Sequence, residues 1–82
     1  MKYLATFFSH FGAVRFNEAN EKEGLETSLI PVPRYLSSSC GTAVKYESED
    51  PWPKKAYKED VETINEIISP KNYVEIYRAE NI

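Results

Sequence analysis

The residues of this chain most able to do chemistry lie together in Pro33-Arg34-Tyr35-Leu36-Ser37-Ser38-Ser39-Cys40-Gly41, which holds its single cysteine. Free cysteines are commonly buried and act as small hydrophobes. Here the residues leading into the cysteine are small hydroxyl side chains that bury little apolar surface, and polar, turn-forming stretches of this kind run over protein surfaces. The sequence therefore predicts a reachable thiol in a loop. Ser37, Ser38 and Ser39 offer hydroxyl and backbone N–H donors to an anion. Gly41 lets the backbone take a positive φ and lets another molecule come close. Arg34 adds a fixed positive charge, which favours thiolate over thiol in its neighbourhood. The chemistry this pattern supports is that of an exposed sulfur nucleophile, Cys40, with Arg34, Ser37, Ser38, Ser39 and Gly41 as its binding surround.

The lone histidine, His10, follows Ser9 at the predicted start of a helix. It reads either as a surface or capping residue, or as a proton shuttle or charge partner for Cys40 once the fold brings both to one rim. A hydrolytic Cys-His-Asn/Asp site needs a third member, and Asn72 is the available candidate. One cysteine and one histidine fall short of a tetrahedral zinc site, so neither a metal nor a cofactor is expected.

Composition narrows the setting. A chain of 82 residues, 41% hydrophobic and 28% charged, fits one soluble globular domain spanning residues 1–82 with a small core. Its net charge of −3, with Lys54, Lys55 and Lys58 as the one cluster of cations, argues against nucleic acid as a partner. A single cysteine makes no internal disulfide, so an oxidising compartment gains this fold nothing. The apolar start, Met1 to Phe8, is followed too soon by His10, Arg15 and Asn17 to read as a signal peptide. No run approaches the roughly 18 apolar residues a membrane span requires. The cytoplasm is the expected location, away from membranes.

The elements that must position Cys40 follow from local pattern. Lys2 to Phe8 reads as a strand, Ser9 to Glu23 as a helix ended by Gly24, and Leu25 to Val32 as a second strand. Thr42 to Glu47 makes a third strand after the cysteine loop, followed by a turn-rich connection, Glu47 to Lys55. Tyr57, Val61, Ile64 and Ile68 recur at spacings of four, three and four, which predicts a second helix. Ser69-Pro70-Lys71-Asn72 breaks it, and Tyr73 to Tyr77 forms a last strand. Trp52, between Pro51 and Pro53, reads as an exposed anchor for a partner or as a lid over the second helix. The order β-α-β-β-α-β predicts an α+β, ferredoxin-like sandwich: a four-stranded antiparallel sheet with two helices on one face. Such a fold would gather Ser9-His10, Cys40 and the loop Ser69 to Asn72 on one rim.

Ile30-Pro31-Val32-Pro33-Arg34, then Leu36-Ser37-Ser38-Ser39-Cys40-Gly41, resembles the signature of a small bacterial family of selenium/sulfur carrier-like proteins. The resemblance spans roughly Tyr3 to Tyr77, and its specific part is the serine run ending in Cys-Gly after a Pro-Arg pair, together with Ser9-His10 at a helix start. It implies that Cys40 carries sulfur or selenium as a persulfide or selenosulfide, with Arg34 and Ser37-Ser38-Ser39 flanking it. The Cys-Pro-x-Pro motif of other sulfur-relay proteins does not occur.

Three readings follow. In the first, the chain is no enzyme but a carrier, loaded by a cysteine desulfurase or selenocysteine lyase and unloaded to a biosynthetic acceptor protein. In the second, it is a thiol redox sensor or regulatory interaction module whose Cys40 is oxidised or glutathionylated. In the third, it is a structural or ligand-binding ferredoxin-like module that pairs with itself as a homodimer through an edge strand and uses Cys40 only for packing.

Overall fold

The computed structural model of the protein describes residues 1–80 apart from Tyr35, Ser37, Ser39 and residues 53–57. The elements run β1 (Lys2–Phe7), α1 (His10–Lys22), β2 (Glu26–Pro31), β3 (Thr42–Glu47), a 3₁₀ turn (Lys58–Asp60), β4 (Val61–Ser69) and β5 (Asn72–Arg78).

Both ends of α1 are set by single residues. Ser9 is extended, with φ −146° and ψ 157°, and its hydroxyl accepts the N–H of Gly12 at 3.1 Å, which satisfies one of the helix's unpaired donors. At the other end Gly24 takes φ +76°, a conformation a side chain would resist. Its N–H donates to the Glu21 carbonyl and that of Leu25 to the Asn20 carbonyl, the paired bonds of a Schellman motif.

The five strands form one sheet in the order β2-β3-β1-β4-β5, and every neighbouring pair is antiparallel. β1 and β2 therefore point the same way with β3 inserted between them, and α1 makes the crossover. Alternation along the strands sends Tyr3, Ala5 and Phe7 of β1, Val44 and Tyr46 of β3, and Val61 and Ile64 of β4 to the face that Ala13 and Phe16 of α1 cover. Phe16 sits at the centre, with ring centroids 5.1 Å from Phe7 and 5.3 Å from Tyr46 in tilted and edge-on arrangements that aromatic quadrupoles favour. Burial pushes the Tyr46 phenol well above its ordinary pKa, with Tyr3 and Asp50 adding to the effect, and its hydroxyl donates to the Pro51 carbonyl. On the other face a buried polar set joins β1 to β4: Thr6 and Thr63 share a hydroxyl–hydroxyl bond of 2.6 Å, and the Asn65 amide donates to the Leu4 carbonyl.

The ferredoxin-like sandwich with four strands and two helices is thus not the fold. The described residues form one α-helix over a five-stranded antiparallel sheet. The segment expected to be a second helix is β4, and the reason lies in its register. Phe7 pairs with Val61 but Thr6 with Thr63, so Glu62 is an extra residue in the strand. Across that bulge Val61 and Ile64 fall on the same face although three residues apart. The spacing imitates a helical stripe, while Val61, Thr63, Ile64, Ile67 and Ile68 supply the β-branched content of a strand. Tyr57, which began the expected stripe, lies outside the described residues, as do Pro53, Lys54 and Lys55. Trp52 covers no helix. It is half-buried, edge-on to the Tyr77 ring of β5 at 4.9 Å, with the Lys58 ammonium 5.2 Å from its own ring. Among the described residues, no helix is long and apolar enough to cross a membrane.

Candidate functional site

The connection between β2 and β3 holds the cysteine. Its ends are tied by the Val32 N–H donating to the Gly41 carbonyl at 3.0 Å, and its start turns through Leu36 N–H to the Pro33 carbonyl. Gly41 has φ +74°, so the chain leaves the loop through the left-handed region that glycine tolerates. That reversal swings the Thr42 backbone back toward the residue two positions before it.

The result is an opened rung at the end of the sheet. The β1–β3 pairing runs to Thr6↔Ala43, and one step further would join Phe7 to Thr42. The Thr42 N–H points instead at Cys40 Sγ, 3.5 Å away, while the Ser38 hydroxyl donates to the Phe7 carbonyl at 3.3 Å. The thiol in turn lies 3.4 Å from the Thr42 carbonyl as a weak S–H donor. The Ser38 hydroxyl also receives the Cys40 N–H at 3.4 Å. Cys40 is half-buried and packs against the rim of the hydrophobic core. Its sulfur thus has one side in the domain, and the exposed Gly41 beside it.

His10 reaches the same place from α1. Its Nδ1 lies 3.1 Å from the Thr42 hydroxyl, so Thr42 links the histidine through its side chain and the cysteine through its backbone. Ser9-His10 and Cys40 therefore share one end of the sheet, as β1 and β2 running in the same direction require. The loop Ser69 to Asn72 does not join them. β4 starts beside Phe7 and ends beyond Tyr3, so its turn into β5 lies at the opposite end, and Asn72 is no third member of a Cys-His pair. Arg34 is exposed and makes no salt bridge among the described residues. Ser37 and Ser39 lie outside those residues.

The sequence reading missed Thr42. The signal was present: a hydroxyl residue directly after Cys-Gly, where a glycine turn returns its N–H to the preceding side chain. Two aromatic residues also mark this end. Phe8 is 37% and Phe11 68% exposed, and the Arg15 guanidinium lies 5.2 Å from the Phe11 ring. Arg15 itself is paired with Asp60 at 2.6 Å, fastening the 3₁₀ turn to α1.

A family model described as "Putative Se/S carrier protein-like" matches residues 2–78, nearly the whole chain. No curated protein and no solved structure gives a significant match. The chain belongs to that Se/S carrier-like family.

Proposed function

We propose that this member of the Se/S carrier-like family is a non-enzymatic carrier that holds one sulfur or selenium atom on Cys40. The observation that carries the reading is the placement of the chain's one cysteine: half-buried at the sheet's end, with a backbone N–H directed at its sulfur. A carrier thiol must be within reach of a second protein yet shield its cargo from water, and a half-buried sulfur beside an exposed glycine meets both needs.

The transfer balances without an outside oxidant. The Cys40 thiolate attacks the terminal sulfur of a persulfide on a donor protein. The new S–S bond forms as the donor's own S–S bond breaks, and the donor leaves as a thiolate. A perselenide donor gives the selenosulfide by the same exchange. Unloading is the reverse attack, by an acceptor's thiolate on the atom held at Cys40. In this scheme the Thr42 N–H serves the sulfur as hydrogen-bond donor, the Ser38 hydroxyl holds the Cys40 backbone N–H, and His10 Nδ1 stands beside the Thr42 hydroxyl at the rim. A cysteine desulfurase or selenocysteine lyase is the donor class this chemistry calls for, and a biosynthetic protein thiol the acceptor.

Intact mass tests the proposal. After incubation with a cysteine desulfurase and cysteine, or a selenocysteine lyase and selenocysteine, the native chain gains one atom of sulfur or selenium that a reductant removes. Cys40→Ser keeps the fold and gains nothing, because a serine hydroxyl is not ionised at neutral pH. A native chain that takes up neither element from several donors of both classes, and instead forms a mixed disulfide with glutathione, would replace the carrier reading with that of a thiol sensor.

A further inference from the structure

We infer that the chain pairs with a second copy of itself along the outer edge of β5. This strand is last in the sheet order, so one side of its backbone meets no described strand. Bare strand edges are templates for another strand, and proteins usually blunt them with proline, charge or a covering element. The opposite edge, β2, is blunted in this way: it ends in Pro31, begins with Glu26, and has α1 packed against it. β5 has no proline, its charged residues Glu75 and Arg78 pair with each other, and its one irregularity is the bulge at Ile76. Its Val74 and Ile76 are 46% and 45% exposed, and Ile68 beside the hairpin turn is 55% exposed.

The strand is self-complementary. An antiparallel pair centred on Glu75 sets Val74 of each copy opposite Ile76 of the other, and Asn72 opposite Arg78. Ile76 is the extra residue of a bulge and has no opposite number on β4, and its side chain is 45% exposed. The two central Glu75 carboxylates would repel one another if bare. Each is already held by Arg78 of its own strand, with Nη2 and Nε at 2.6 and 3.2 Å from the two carboxylate oxygens. The seam is therefore neutral, apolar at its flanks and charge-paired at its centre. The inference does not rest on sulfur carriage, and its cross-linking arm is read on a chain that lacks Cys40.

Sedimentation of the full chain over rising concentration should show a monomer–dimer equilibrium in the micromolar range or weaker, as befits an interface below standard size. The double variant Val74→Lys/Ile76→Lys, with an unchanged circular dichroism spectrum, should be monomeric. Leu29→Lys, on the β2 edge, should dimerise like the parent. In a Cys40→Ser background, Glu75→Cys should oxidise to a covalent dimer, since that position lies on the two-fold axis within disulfide reach. Asn72→Cys should not, because its two copies would stand about 20 Å apart. A chain that stays monomeric to about 1 mM overturns the inference. So does a dimer indifferent to the lysine pair, or one that cross-links equally at both positions, either of which assigns the contact to another surface.

Discussion

Two hairpins flank β1, and they are built for different tasks. The β2–β3 hairpin lies under α1, and its strands are joined by residues 32–41, long enough to hold Cys40 against the core. The β4–β5 hairpin turns tightly through Pro70 and Lys71 at the other end of the sheet and leaves Ile68, Val74 and Ile76 in water. A helix covers one wing, whereas on the other, among the described residues, Trp52 packs on Tyr77. The contrast shows how a small sheet divides its labour. Burial under α1 holds the sulfur within hydrogen-bonding reach of Thr42, whereas the β4–β5 wing keeps Ile68, Val74 and Ile76 exposed.

The contrast breaks most sharply at Phe16. It is 1% exposed and touches the rings of both Phe7 and Tyr46, so Phe16→Ala should cost about 3–5 kcal/mol of stability in chemical denaturation. Ile76→Ala, at the bare edge, should change the monomer by no more than about 0.5 kcal/mol. Equal losses at the two sites would mean the wings are not differently packed.

Gly12→Ala should come next. A methyl there would lie 2.9 Å from Asp60 Cβ, too close for any real pair. Asp60 cannot give way easily, because Arg15 holds its carboxylate and the Phe8 N–H holds its carbonyl. Alanine gains about 1 kcal/mol of helix propensity over glycine, yet overpacking costs about 1–3 kcal/mol. The expected result is a lower denaturation midpoint, and a raised one would show that the 3₁₀ turn is free to slide away from α1. Ser9→Ala should have the smallest effect on this wing, about 1 kcal/mol from the lost N-cap, read as a modest fall in the same midpoint.

The wings also differ in how much of them could be read beforehand. In the first, punctuation and pattern agreed. Ser9 and Gly24 bracket α1, Thr42 to Glu47 alternates as β3 does, and the parallel run of β1 and β2 brings His10 to the cysteine. In the second, Glu62 re-phased β4 so that buried residues recur at a helical interval, and a strand passed for a helix. A bulge is invisible to periodicity, because the sequence counts backbone steps but does not show where two residues of one strand stand opposite one of its partner. The error also misplaced Asn72, since swapping a helix for a strand reverses the end at which the following turn emerges. The polar neighbours of Cys40 placed it in the connection between two strands, but it is half-buried against the core there and not the exposed thiol they suggest. Its partnership with Thr42 was not legible, because that contact comes from a backbone amide freed when the sheet stops one rung early.

That amide has a use of its own. In most strands an N–H reports on the strand beside it. Here the Thr42 amide reports on a side-chain sulfur, and nothing else in the sheet shares its bond. Whatever becomes of that sulfur, whether bare, charged, lengthened by an atom or joined to another protein, alters the partner of one backbone proton. A single amide resonance in a nuclear magnetic resonance spectrum is thereby a built-in gauge of the chemical state of Cys40.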